Sequence, residues 1–132
     1  MIKKFDHVGL AVNNSAETVA LLKRLFGFEI GEVLVEAEAG FKSTMISRAD
    51  VTLELIEPVG PQGMIQKFIE KRGGGLHHIS IQVTDIDEEI KRLRGQGVQF
   101  VNEEPAEISG SRLVFIHPRS TNGLLIELIQ KQ

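Results

Sequence analysis

The chain has 132 residues, 42% hydrophobic and 25% charged, with a formal net charge of −3. That length suits one compact domain, and the slight acidic excess gives no electrostatic reason to expect nucleic acid or an anionic membrane as partner. The absence of cysteine excludes a disulfide framework, a thiolate metal site and a cysteine nucleophile, and no apolar run approaches the ~20 residues a membrane helix needs.

Taken in order, the chain opens with Met1-Ile2-Lys3-Lys4-Phe5-Asp6-His7, where Asp6 and His7 interrupt any apolar leader. The default expectation is a cytoplasmic protein. A strand is predicted over about residues 3 to 12, with His7 on the face of Gly9 and Ala11. Asn14 followed by Glu17 has capping-box spacing. Val19, Leu22 and Phe26 then recur at helical intervals until Gly27 closes the helix. Strands are predicted at about 28–35, 41–47 and 51–56. Pro58 to Gln62 breaks the pattern, and Met64, Ile65, Phe68 and Ile69 mark a short amphipathic helix ended by Gly73-Gly74-Gly75. The stretch from Leu76 to Val83 reads as another strand, with His78, Ser80 and Gln82 on one face. Asp85 and Glu88 repeat the capping spacing, and Ile86, Ile90 and Leu93 form a helical stripe ended by Gly95 and Gly97. Further strands are predicted near 98–101, 112–117 and 124–129.

The second half repeats the first. His7 answers His78 at an offset of 71, Gly27 answers Gly97 at 70, and Glu54 answers Glu127 at 73. Leu53-Glu54-Leu55-Ile56 matches Ile126-Glu127-Leu128-Ile129. A near-constant offset across three landmarks implies an α+β fold of two paired βαβββ modules, each with one helix on a curved four-stranded sheet. Module one is expected at about 1–60, the connecting helix at about 62–73 and module two at about 75–132, within one domain.

Each module offers one histidine on its first strand and one glutamate on its last. Glu127 lies within Leu124 to Ile129, a continuous apolar run of the kind covered on both faces. An unpaired carboxylate there would cost several kcal/mol, on the order of the usual penalty, or stay protonated. Glu54 raises the same problem at the equivalent place. A pseudo-twofold relation would bring His7, Glu54, His78 and Glu127 together as a mixed N/O site for a divalent ion, with coordination positions left open for substrate. Singly, each has a plainer reading: a lone strand histidine is usually structural and a lone strand glutamate usually solvated. The paired recurrence favours the metal.

Other features are less informative. His77 points away from His78 and is expected to pack near the connecting helix. His117, before Pro118, has no counterpart in module one and reads as structural. The run Gly73-Gly74-Gly75 precedes a strand, which is the wrong context for a phosphate cradle. No G-x-S-x-G motif occurs.

The segments Asp6-His7-Val8-Gly9, Leu53-Glu54-Leu55-Ile56-Glu57-Pro58, Lys67 to Gly73 leading into Leu76-His77-His78-Ile79, Asn102-Glu103-Glu104-Pro105, and Phe115-Ile116-His117-Pro118-Arg119-Ser120-Thr121 running to Leu128 resemble the vicinal oxygen chelate superfamily. Within it they resemble the branch of methylmalonyl-CoA epimerases. The resemblance spans Phe5 to Gln130. It implies exchange of the α-proton of (R)- and (S)-methylmalonyl-CoA through an enolate. A divalent metal (Co, Zn, Ni, Mn or Mg) on His7, Glu54, His78 and Glu127 would stabilise the enolate charge, and Glu127 would also act as acid–base. It implies an acyl-CoA substrate and a homodimer. The second acid–base position falls at Ser43, where some members have glutamate; Lys42, a bound water or a glutamate of the preceding turn are the alternatives. Arg119 and Ser120 could help to hold the substrate's carboxylate or its CoA part. Two other activities share the scaffold: a lactoylglutathione lyase acting on a glutathione hemithioacetal, and a non-catalytic small-molecule binder.

Overall fold

In the computed structural model, which describes residues 1–132, the elements are β1 (Ile2–Ala11), α1 (Ser15–Phe26), β2 (Glu29–Glu36), β3 (Phe41–Arg48), β4 (Val51–Pro58), α2 (Met64–Arg72), β5 (Gly75–Val83), α3 (Ile86–Arg94), β6 (Ala106–Ile108), β7 (Ser111–Ile116) and β8 (Ile126–Gln130). The fold is mixed α+β, built of two βαβββ modules. By packing, the chain divides into two units, His7–His77 and Met1–Asp6 with His78–Gln132. The connecting helix α2 therefore goes with the first module, and the first six residues go with the second.

In the His7–His77 unit the strands run in the order β2-β3-β4-β1. β2, β3 and β4 are antiparallel neighbours, and β1 joins β4 in parallel with Gly9 opposite Glu54. Asn14 caps α1 by accepting from the Glu17 N–H at 3.0 Å, and Gly27 ends it in the left-handed conformation. Glu57 Oε1 accepts from both the Ser15 N–H (2.7 Å) and the Ser15 hydroxyl (3.0 Å). That contact puts α1 on the face of β4 that bears Leu53, Leu55 and Glu57. Phe26, which the periodicity assigned to the apolar stripe, is 62% exposed.

The opposite face carries His7, Gly9 and Ala11 from β1 and Glu54 and Ile56 from β4. There α2 packs its Ile65 on Ala11 and Ile56, with Phe41, Phe68 and Ile69 alongside. The break before α2 depends on glycine. Gly40 has φ +80°, and a Cβ there would lie 2.8 Å from the Cα of Gly63, where α2 begins.

The second unit repeats this topology as β5-β8-β7-β6. β5 and β8 are parallel with Ser80 opposite Glu127, while β6, β7 and β8 are antiparallel. Asp85 caps α3 through the Glu88 N–H at 3.1 Å, and the Ile86 N–H donates to Gln130 Oε1 at 2.8 Å. Gln130 thus stands where Glu57 stands in the first module, a repeat that sequence inspection missed. Ile86 and Ile90 of α3 pack on Val83, Val114, Ile116 and Leu128. The N-terminal residues are tied in by the Thr84 N–H to the Met1 carbonyl (3.1 Å) and by Lys131 to Asp6 (2.9 Å).

The strand expected at 98–101 is a correction. Only an isolated bridge, Phe100 to Ile116, forms there, and the regular strand β6 comes later, at Ala106–Ile108. Both stretches lie along β7. Pro105 lacks an N–H and sits in the break between them.

Candidate metal centre

The pleat separates two chemistries in each unit. One face meets the module's own helix, α1 or α3. The other bears the histidine and the glutamate.

In the first unit His7 is buried on β1. Its Nε2 lies 3.3 Å from Glu54 Oε1, because parallel pairing of β1 with β4 sets Gly9, two residues on from His7, opposite Glu54. Gly9 has no side chain to intervene. The Ser43 hydroxyl, from β3, donates to Glu54 Oε2 at 2.6 Å. Ser43 and Met45 share the face of Glu54, since Met45 is paired with it. Lys42 lies opposite Glu57, so it belongs to the α1-covered face and not to that of Glu54.

In the second unit His78 and Glu127 are both buried. Ser80, two residues after His78 on the same face, donates its hydroxyl to Glu127 Oε1 at 2.7 Å. Phe115, opposite Glu127 in the β7–β8 pair, meets the His78 ring edge-on at 5.6 Å between centroids. His78, Ser80, Phe115 and Glu127 therefore form one continuous patch. Each unit supplies one buried imidazole and one hydroxyl-anchored carboxylate on one face of its strands.

The other two histidines make packing and capping contacts. His77 stacks edge-on against Phe68 of α2 at 4.9 Å. His117 accepts the Arg119 N–H through Nδ1 at 3.0 Å and so caps the short 3-10 turn Pro118–Ser120. The Ser120 hydroxyl accepts the Gln99 N–H at 2.9 Å. Sequence reasoning missed the anchoring roles of Ser43 and Ser80. Only the alternation that places Ser80 with His78 hinted at the second.

Two modules of this topology, each with a histidine on its first strand and a glutamate on its last, define a paired βαβββ scaffold with a candidate metal site. The family model for the Glyoxalase/Bleomycin resistance protein/Dioxygenase superfamily matches residues 6–115, and the chain belongs to that superfamily. Among its relatives is the mitochondrial methylmalonyl-CoA epimerase of Dictyostelium discoideum, 34% identical over 132 residues, spanning 98% of this chain and 80% of the relative. The ethylmalonyl-CoA/methylmalonyl-CoA epimerase of Cereibacter sphaeroides is 32% identical over 98% of this chain and 99% of its own. Among solved structures, a Streptomyces coelicolor methylmalonyl-CoA epimerase in complex with 2-nitronate-propionyl-CoA superimposes with a TM-score of 0.92 at 30% identity, covering 99% of each chain.

Proposed function

We propose that this chain is a methylmalonyl-CoA epimerase, exchanging the proton α to the thioester through an enolate. The observation behind this reading is the recurrence of a buried imidazole with an anchored carboxylate on the polar face of both modules, in a chain whose relatives are epimerases of malonyl-type CoA esters.

The residues present fit a divalent ion. His7, Glu54 and His78 each offer one atom of ligand type, and we add Glu127 as the fourth donor on the strength of the repeat, for a set of two nitrogens and two oxygens. That set suits divalent ions such as Co, Zn, Ni, Mn or Mg. Nε2 of His7 and Oε1 of Glu54 already approach to 3.3 Å. When bound, the ion would supply Lewis-acid stabilisation of the charge that develops on the thioester oxygen.

The chain's own residues do the remainder. Glu127 takes the α-proton from one face of the substrate, a second acid delivers a proton to the opposite face, and the centre is inverted; in the reverse direction the roles exchange. Burial keeps its carboxylate out of water, and the Ser80 hydroxyl fixes one of its oxygens. Lys42 lies on the face opposite to that of Glu54 and Ser43 donates to Glu54, which favours a bound water or a glutamate of the turn before β3 as the second acid–base.

We assign a homodimer and a cytoplasmic setting to the same reading. Leu21, Leu25 and Phe26 of α1 and Ile30, Val33 and Val35 of the outer strand β2 are all exposed, an apolar surface that a second copy would cover. No helix is long and apolar enough to cross a membrane.

The test is proton exchange. (S)-methylmalonyl-CoA in deuterated buffer with added Co²⁺ should gain deuterium at the α-carbon. No exchange at any metal loading would sink the proposal. Turnover of a glutathione–methylglyoxal hemithioacetal in place of exchange would move the chain to the lyase branch.

A further inference from the structure

We propose that Ser43 and Ser80 are positioning residues that turn Glu54 and Glu127 into single-oxygen ligands. The inference rests on the metal reading above. An ionised carboxylate only accepts hydrogen bonds, and a serine hydroxyl has one proton to give. Ser80 is fully buried, and its hydroxyl lies 2.7 Å from Glu127 Oε1. Ser43 is 5% exposed, and its hydroxyl lies 2.6 Å from Glu54 Oε2. These lengths match a hydroxyl donating to a charged oxygen. Each serine therefore engages one carboxylate oxygen and fixes the side-chain rotation.

On Glu54 the oxygen that Ser43 leaves is Oε1, the one beside His7 Nε2. The serine thus sets which oxygen a shared cation would meet. On Glu127 the oxygen that Ser80 engages is Oε1.

The two anchors are not copies of one another. The residue opposite Glu127 in the parallel pair is Ser80, whereas the residue opposite Glu54 is Gly9. In the first module the hydroxyl comes instead from the antiparallel neighbour β3, at Ser43. The same arrangement is reached from opposite sides of the carboxylate strand. Duplication alone would not produce it, which argues that the hydroxyl-to-carboxylate contact is itself required.

The experiment is calorimetric titration of Co²⁺ into the apo form of the full chain, with apo thermal melts alongside. Wild type, Ser80→Ala, Ser43→Ala and Ser43→Thr are compared. Each alanine variant should lose about 10–100-fold in Co²⁺ affinity, and Ser43→Thr, which keeps a hydroxyl, should restore it. A role in packing alone would move the apo melt and leave Co²⁺ affinity as in wild type. That result in both alanine variants overturns the inference. Wild type that binds no Co²⁺ overturns the metal reading and this inference together. Should Ser80→Ala not fold, Ser43→Ala and Ser43→Thr decide the matter.

Discussion

Glu127 concentrates the chemistry at the scale of single residues. Its carboxylate is buried in a strand whose neighbours Ile126, Leu128 and Ile129 are apolar, and it shares a face with His78 through Ser80 and Phe115. Glu127→Gln keeps the shape and the partner hydroxyl but removes the proposed base. The α-proton exchange rate should fall by about 10²–10⁴-fold, read by deuterium incorporation, with the thermal melt of the apo protein close to wild type. The burial of Glu127 was legible from the apolar run around it. Its serine anchor was not, because a hydroxyl's partner depends on which strand lies alongside. Lys42 shows the converse. Its place on the helix side follows from period-two alternation, but only once β3 is registered against β4.

At the scale of elements, helix caps and glycine breaks decide where segments begin. The capping contacts of Asn14 and Asp85 recur at the offset of the histidines, and the contacts from Glu57 and Gln130 to the first turns of α1 and α3 recur with the two strand residues at the offset of the glutamates. The side-chain caps could be read from spacing. The strand-borne partners Glu57 and Gln130 could not, since they come from more than 40 residues away.

The break before α2 gives a sharper test. Gly40→Ala meets both a left-handed backbone and a Cβ position 2.8 Å from the Gly63 Cα. The variant should be destabilised by about 1–3 kcal/mol, measured as a lower midpoint in urea. A midpoint equal to wild type would mean that the Gly40–Gly63 approach is not tight in solution. The misplaced strand at 98–101 belongs to this scale too. Val98 and Phe100 face the core of α3 and β7, so the apolar pattern was real. The pattern recorded burial, whereas the backbone there pairs with β7 only at the single bridge of Phe100 to Ile116.

For the molecule as a whole, two properties follow. The first concerns acid stability. Glu89, buried on α3, is held below the usual carboxylate range by the amino group of Met1 and by Arg92, against the opposing effect of burial. A lowered folded-state value means that the stabilisation is fully present above the unfolded value of about 4.3. It is lost as pH falls through the folded value. Glu89→Gln should therefore melt below wild type at neutral pH, and the gap should close as pH falls below about 4. A gap independent of pH would assign the effect to packing. Asp87 is lowered in the same direction by Arg112, but that pair is exposed and adds little. The second property is assembly. Light scattering on the eluted protein should give twice the 14.6 kDa chain mass. Charged substitutions at Val33 and Val35 should shift it towards the monomer, and a monomeric wild type would remove the dimer from the reading.

The sequence by itself determined the duplication, the α+β class, the helix starts and the four candidate ligands. Each of these is written in local periodicity or in a recurring offset, and neither needs a partner to be seen. Only the tertiary structure decided which strands lie beside which, and with that the serine anchors, the helix side of Lys42, the place of β6 and the allegiance of the first six residues. Strand pairing is a contact between distant segments, made by backbone groups that every residue offers alike. A period of two names the faces of a strand but leaves its neighbour and its register open.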